Sequence, residues 1–444
     1  MPTRNLEIEP ADLWRILKAS GIKYVKFIIV DINGAPRSEI VPIDMAKDLF
    51  IDGMPFDASS IPSYSTVNKS DFVAYVDPRA VYIEYWQDGK VADVFTMVSD
   101  IADKPSPLDP RRILNDTLEQ ARSKGYEFLM GVEVEFFVVK EDGGKPVFAD
   151  PGIYFDGWNV TVQSQFMKEL ITAIADAGIN YTKTHHEVAP SQYEVNIGAT
   201  DPLRLADQIV YFKIMAKDIA RKYGLVATFM PKPFWGGVNG SGAHTHISVW
   251  KDGKNLFQSS TGKITEECGY AISAILSNAR ALSSFVAPLV NSYKRLVPHY
   301  EAPTRIVWGG YANRSAMIRI PQYKMRINRI EYRHPDPSMN PYLAFTAIIK
   351  TMIRGLEEKK EPPPPTEEVA YELANALETP ATLEDTLKEL SKSFLATELP
   401  SELVNAYIKI KQNEWEDYLT NVGPWEKTWN IITQWEYNKY LVTA

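Results

Sequence analysis

One stretch narrows what this chain can fold into more than any other: Gly131-Val132-Glu133-Val134-Glu135-Phe136-Phe137-Val138-Val139. β-Branched and aromatic residues dominate it and nothing after Gly131 breaks it, which predicts a strand. Side chains on a strand alternate, so Val132, Val134 and Phe136 face one way and Glu133 and Glu135 the other. The two carboxylates then stand roughly 6.5–7 Å apart at their Cα atoms, two strand rises. A solvated outer face tolerates such a pair. The flanking apolar run instead predicts a buried strand, where two like charges are costly without a counter-charge. A divalent cation is the simplest one.

The chain has 444 residues, long enough for two domains and a large core. Its net charge of −8 argues against general binding to nucleic acid or anionic membranes. A single cysteine, Cys268, forms no internal disulfide, which fits a reducing compartment. Residues 1–13 lack the basic start and apolar core of a signal peptide, and no apolar run approaches the ~20 residues of a membrane span. A soluble, cytoplasmic protein is expected.

Helical spacing over 11–19 stops at Ser20-Gly21. A strand over 24–32 turns at Asn33-Gly34 into a second over 36–42, whose Pro36 marks a sheet edge. A short helix over 44–51, a polar loop over 56–61 and two more strands up to Met97 follow. Residues 103–110 hold three prolines and no periodicity, which predicts a boundary between domains 1–104 and 105–444. Beyond it, helices are expected over 110–124, 162–177, 202–223, 271–290 and 341–358, with strands around 180–197, 225–230 and 244–250. Prolines 362–365 precede a helical tail, whose Trp415, Trp425, Trp429 and Trp435 read as packing residues. Helices interleaved with hairpin-linked strands predict an α+β chain with a largely antiparallel sheet, not a Rossmann-type order.

Four further stretches supply what the glutamate strand lacks. In His185-His186-Glu187-Val188-Ala189-Pro190-Ser191-Gln192-Tyr193-Glu194, Glu187 and Glu194 bracket a turn that can bring both carboxylates to one point. In Asn239-Gly240-Ser241-Gly242-Ala243-His244-Thr245-His246-Ile247-Ser248, the glycines let backbone approach a ligand. His244, His246 and Ser248 then share a strand face, a set suited to metal or phosphate. Residues 291–333 carry nine Lys or Arg against only Glu301 and Glu331, with Arg314, Arg319, Arg326, Arg329 and Arg333 among Ile, Met, Val and Tyr. Arginines on apolar strands need anions, and the guanidinium suits bidentate phosphate or carboxylate. Inside that segment, Arg329-Ile330-Glu331-Tyr332-Arg333 sets an acid between two arginines on one face. That is either a salt-bridge ladder or a metal ligand flanked by phosphate clamps.

Acids with one or two histidines suit Mg²⁺ or Mn²⁺ better than zinc. Metals between carboxylates and an arginine cluster describe phosphoryl transfer from a nucleotide, though no Walker A or kinase glycine-rich signature is present. The residues alone point to a metal-dependent, ATP-using enzyme acting on an anionic substrate.

These blocks, with Lys232-Pro233 and the 56–61 loop, follow an order that resembles the glutamine synthetase family of the class I bacterial and archaeal kind, from about Lys23 onward. The resemblance implies a small N-terminal β-grasp domain and a large C-terminal catalytic domain with a curved, largely antiparallel sheet flanked by helices. It also implies a dodecamer of two hexameric rings with active sites between neighbouring subunits. Glu135, Glu187 and Glu194 resemble the ligands of one metal, and Glu133, His244 and Glu331 those of a second. In the implied reaction ATP phosphorylates the γ-carboxylate of L-glutamate, and ammonia converts γ-glutamyl phosphate to glutamine. Arg314 and Arg333 would stabilise the phosphoryl group, and with Glu301 they would join Arg295, Asn239 and Gly240 around the glutamate. His246, Ser248, Arg319 and Arg326, beside Arg314, would face ATP. Ammonium would lie among Glu187, Glu301 and the adjacent subunit's loop with Asp57 and Ser60, where Asp57 takes its proton. Glu301 would ride on a flap that excludes water.

Some positions depart from the family pattern. Ala58 and Ser191 stand where glycine is usual, and His299 replaces a glycine two residues before Glu301. Pro62 and Ser63 alter the loop after Ser60, and Thr182 stands where many members carry a glutamate near the nucleotide. Glutamine synthesis is the first reading. A γ-glutamyl amine or polyamine ligase is the second, favoured by His299. A non-catalytic structural or regulatory relative is the third, and the intact metal and arginine sets oppose it.

Overall fold

The computed structural model describes residues 8–62, 64–157, 164–310 and 312–444. Ser63, Tyr311 and positions 162 and 163 of the expected 162–177 helix fall outside them; that helix is described over Ser164–Asp176.

Five strands, β1 (Tyr24–Val30), β2 (Pro36–Pro42), β3 (Met54–Asp57), β4 (Asp71–Ile83) and β5 (Val91–Asp100), form a sheet in the order β2-β1-β5-β4-β3. Only β1 and β5 run parallel. β1 is apolar at nearly every position because both its faces are covered. Val25, Phe27 and Ile29 pack with Leu13 and Leu17 of the Pro10–Ala19 helix, while Ile28 and Val30 join the large core of the remaining chain. β2 is an exposed edge, where a proline without an N–H is tolerated. The loop before it is wider than a two-residue turn: Val30 pairs with Pro36, and the Asp31 carboxylate accepts from the N–H groups of Asn33 (2.9 Å) and Ala35 (3.0 Å). Asn340, far along the chain, donates to the carbonyls of Asp31 (3.1 Å) and Ile32 (3.0 Å) and so pins this hairpin to the second sheet's helices.

That second sheet has ten strands: β6 (Glu127–Asp142), β7 (Lys145–Phe148), β8 (Tyr181–His186), β9 (Gln192–Thr200), β10 (Val226–Thr228), β11 (Ala243–Lys251), β12 (Lys254–Asn255), β13 (Trp308–Gly309), β14 (Ile318–Arg319) and β15 (Ile330–Tyr332). Its main path is β13-β14-β15-β11-β6-β9-β8, antiparallel except for β13 and β14. Val132, Val134, Phe136 and Val138 on one face of β6 are buried in a single core with Ile209, Phe212, Ile275 and Phe345 of the covering helices.

Three of those helices open alike. Asp109, Asp201 and Asn340 each accept from N–H groups of the following turn, and proline occupies the first turn of Pro110–Ser123, Pro202–Lys222 and Pro341–Glu358. The expected 271–290 helix runs instead over Glu266–Val286, because Thr265 caps it earlier and Pro288 prevents its continuation. The arginine-rich segment is mostly loop. Gly309, Gly310 and Pro321 break its apolar runs, so Arg314 and Arg326 lie outside strands. In the tail, Trp415, Trp425 and Trp435 pack around Tyr418, and Trp429 meets Trp235 edge-on at 5.6 Å. No described helix is long and apolar enough to cross a membrane.

Arg111 joins the two sheets at a buried point. Its guanidinium donates twice to Asp207, at 2.8 Å each, and at 2.9 Å to Asp77 of β4, while the Tyr342 hydroxyl donates to Asp207 at 2.6 Å. Arg111→Met leaves Asp207 buried without its cation, while Asp77 keeps Arg79 at 2.8 Å. The substitution is expected to lower the unfolding free energy by about 3–5 kcal/mol, read as a fall in urea midpoint with an unchanged slope.

Candidate active site

Strand register assembles the site. Arg319, Glu331 and His246 are successive cross-strand neighbours; so are His244, Glu133, Asn196 and Lys183; so are Glu135, Glu194 and His185. Period two puts all of them on the face opposite Val132 and Phe136.

Within these rows, some charges are answered and others are not. Glu133 meets His246 Nε2 at 2.9 Å and His244 Nδ1 at 3.3 Å. The Arg329 Nε–H points at His246 Nδ1 (3.1 Å), so that nitrogen accepts and Nε2–H donates to Glu133. Glu331 is paired with Arg333 (2.6 Å) and Arg319; burial opposes its charge, but Arg333 and the two histidines bring its pKa down to about 2. Glu194 is likewise held below the usual range by His185 (3.1 Å), against its burial. Glu135 has only His244 Nδ1 nearby, at 3.6 Å, an imidazole whose own pKa is lowered by burial. Burial, then Glu187 and Glu194, push Glu135 well up, offset only in part by the Gly242 N–H at 2.8 Å and the charge of Arg295. Burial and Glu194 raise Glu187 to about 7.

Donor atoms of Glu133, His244 and Glu331 lie within 4.8 Å of one another, as do those of Glu135, Glu194 and His244, and those of His185, Glu187 and Glu194. The set expected for one metal thus meets directly. In the other set, Glu194 is the common member between Glu135 and Glu187. Carboxylates outnumber the cations beside them, and oxygen donors outnumber imidazoles, so the residues fit Mg²⁺ or Mn²⁺.

Next to them, a narrow cavity is lined by Glu135, Glu187, Gln192, Asn239, Gly240, Arg295 and Glu301. Arg295 is 2% exposed and fixed by the carbonyls of His334 (2.8 Å) and Arg333 (3.2 Å). The glycine loop has to be glycine because it runs against these groups. A Cβ on Gly240 would lie 2.5 Å from the Pro231 carbonyl oxygen, and one on Gly242 2.6 Å from His244 Nε2 and 2.9 Å from the Arg295 guanidinium. Over the cavity, the Tyr300 ring lies 4.2 Å from the Lys232 ammonium and carries its neighbour Glu301 with it.

His299 and Glu301 take positive φ values (70° and 59°), and so does Ser191 (62°). That region favours glycine, which is the residue the family pattern has at 299 and 191. Ser191 fits there because its hydroxyl accepts from the N–H groups of Ala149 (2.8 Å) and Asp150 (3.0 Å).

On the other side of Glu133 an open cleft of about 780 Å³ is lined by His246, Ser248, Arg314, Arg319, Arg326 and Thr182. The Arg314 carbonyl accepts from Arg333 Nε at 3.0 Å, linking the exposed arginine to the buried one. Asp57 and Ser60 lie elsewhere, exposed at the end of β3. The hydroxyls of Ser59 (2.6 Å) and Ser60 (2.8 Å) donate to Asp57 and lower its pKa. Neither lines the cavity of Glu187 and Glu301. A single chain therefore does not bring the expected ammonium set together.

Two residues stand in the site without a role from the sequence reading, His185 and Gln192, and a third, Arg329, expected on an anion, meets His246 instead. His185 could have been found, since alternation with His186 forces one of the two to face Glu194. Gln192 bridges the Gly240 carbonyl (3.1 Å) and Glu135 (3.4 Å), and Arg329 orients His246; nothing local signals either contact. Gly242→Ala would push His244 and Arg295 off their positions. It is expected to weaken Mn²⁺ binding about 10–100-fold, measured by titration calorimetry.

A family profile described as "Glutamine synthetase, beta-Grasp domain" matches residues 21–103, and one described as "Glutamine synthetase, catalytic domain" matches residues 107–430. The glutamine synthetase of Pyrococcus furiosus is 39% identical over 432 residues, covering 95% of this chain and 97% of that one. That of Thermotoga maritima is 37% identical over 443 residues, covering 96% and 98%. A solved GmaS–ADP complex superimposes with a TM-score of 0.85 at 29% identity, covering 97% of this chain and 99% of its own. With both domains matched in order and nineteen-twentieths of the chain aligned with the Pyrococcus furiosus enzyme, this chain belongs to the glutamine synthetase family.

Proposed function

We propose that the protein joins ammonia to the γ-carboxylate of L-glutamate, using ATP and passing through γ-glutamyl phosphate, to give glutamine. The observation that carries this reading is the set of carboxylate and imidazole rows on one sheet face, open to an arginine-lined cleft, in a chain of this family. His246, Ser248, Arg319 and Arg326, with Arg314, hold the nucleotide in the cleft. Asn239, Gly240, Arg295 and Glu301 hold glutamate in the adjoining cavity. Glu135, Glu187 and Glu194, and Glu133, His244 and Glu331, hold Mg²⁺ or Mn²⁺, which when bound supplies positive charge between the two substrates.

A γ-carboxylate oxygen of glutamate then attacks the terminal phosphorus of ATP, and ADP leaves. Arg314 and Arg333 neutralise the charge on the phosphoryl oxygens in transit. Asp57 takes a proton from ammonium, ammonia attacks the acyl carbon, and phosphate leaves. Tyr300 on Lys232 keeps Glu301 over the cavity, which limits hydrolysis of the acyl phosphate.

The separation of Asp57 from Glu187 within one chain supports a site shared between subunits. We assign the protein to a homododecamer of two hexameric rings in the cytoplasm, each chain divided into domains 1–104 and 105–444. A ligase for an alkylamine in place of ammonia is the second reading, favoured by His299 beside the flap.

Phosphate release from ATP and glutamate, compared for ammonium, methylamine, ethanolamine and putrescine, separates the two. Ammonium is expected to give the highest kcat/KM, and preference for an amine overturns the first reading. Glu331→Ala is expected to abolish ATP-dependent γ-glutamyl hydroxamate formation; normal turnover removes its metal role. Asp57→Ala is expected to leave ADP affinity unchanged while lowering ammonia-dependent turnover about 10²–10⁴-fold; undiminished turnover removes its role as base.

A further inference from the structure

A second large cavity, of about 630 Å³, shares no lining residue with the carboxylate cavity or the cleft. It lies between the loop after β1, the Pro202–Lys222 helix and the C-terminal helices, and its size suits a metabolite. Lys213 and Lys217 line it, one helical turn apart on the same face. Both ammonium groups lie over one ring, that of Phe229, at 5.2 and 5.7 Å from its centroid. Lys217 also donates to the Thr443 carbonyl at 3.4 Å. Among the described residues neither is ion-paired with a carboxylate, whereas the next two basic residues of the helix, Arg221 and Lys222, are paired with Asp218 and Glu169.

The other charges at the cavity answer one another. Arg37 pairs with Asp31 at 2.8 Å, Lys411 with Glu414 at 3.1 Å, and Lys439 with Asp417 at 3.2 Å. What is left over is the positive charge of the two lysines. Burial, then Lys217, draws Lys213 down to about 7 against the charge of Asp336, and burial, then Arg221, draws Lys217 to about 8. Beside them, Val210 and Ile214 on the same helix face, with Leu289 and Met339, make the neighbouring wall apolar.

We infer that this cavity is a binding site for a small organic anion, whose phosphate or carboxylate group sits between Lys213 and Lys217 and whose apolar body rests against Ile214, Leu289 and Met339. Aromatic π-charge substitutes only weakly for an anion at two ammonium groups, and a charge-assisted contact is the stronger partner.

The test is titration calorimetry on the full-length assembled protein with phenyl phosphate, phthalate and inorganic phosphate. Phenyl phosphate or phthalate is expected to bind, more tightly than inorganic phosphate; which of the two binds better identifies the head group. The double substitution Lys213→Met and Lys217→Met is expected to weaken binding at least about tenfold, and Lys213→Arg with Lys217→Arg to retain it. Arg319→Ala, which alters the cleft, is expected to leave the affinity unchanged. ADP binding by the double Met variant checks that it has folded. Absence of binding to all three probes, equal affinity for inorganic phosphate, or affinity lost in Arg319→Ala but kept in the double Met variant overturns the inference.

Discussion

Glu133, Glu135, Glu194 and Glu331 on one side of a sheet, with Glu187 in the turn beside them, form a chain of neighbouring carboxylates, and their repulsion is the constraint everything else answers. The fold can impose it because the opposite face of the same strands is anchored in a large apolar core, so register cannot slip to relieve the charge. A one-residue shift of β6 would put Val132, Val134 and Phe136 among the acids and both glutamates in the core. The hydrophobic side of the sheet therefore holds the electrostatic side in place.

The protein's own hydrogen-bond donors answer that repulsion unevenly. Glu331 has two arginines, Glu133 two histidines and Glu194 one histidine. Glu135 and Glu187 have neither an arginine nor a histidine in hydrogen-bond contact at equal strength, and both are pushed toward protonation. Such incomplete compensation destabilises a chain without counter-ions and is the environment a hard divalent cation would relieve. Strain is spent in the same region. His299, Glu301 and Ser191 occupy left-handed backbone without being glycine, and each adjoins the cavity or its supporting loop.

Much of this was legible in the chain itself. Alternation in 131–139 placed Glu133 and Glu135 on one face, and proline after Asp109, Asp201 or Asn340 located three helix starts. The family likeness, carried by the ordered blocks, named the residues now found around the cleft. What misled was local breadth. The arginine segment reads as strands because Ile, Met and Val surround its arginines, yet glycine and proline cut those runs into pairs and triplets of residues. The long helix began earlier than its apolar run because a capping threonine, not the first apolar residue, decides where the backbone N–H groups find acceptors.

Residue types and their period determined which side chains face away from the core, since alternation is a property of a strand wherever it lies. They also determined that those side chains carry the carboxylate, imidazole and guanidinium groups that could hold a metal and phosphate. Only the tertiary structure decided which of them meet. Pairing of β6 with β9 and β11 set Glu135 against Glu194 and Glu133 against His244, across separations of some sixty and a hundred residues. It likewise turned Arg329 onto His246 and Gln192 onto Glu135, and set Lys213 and Lys217 over the Phe229 ring at a cavity wall. Such contacts depend on the register between strands and on how helices fill the space beneath them, and no local pattern of residues encodes either.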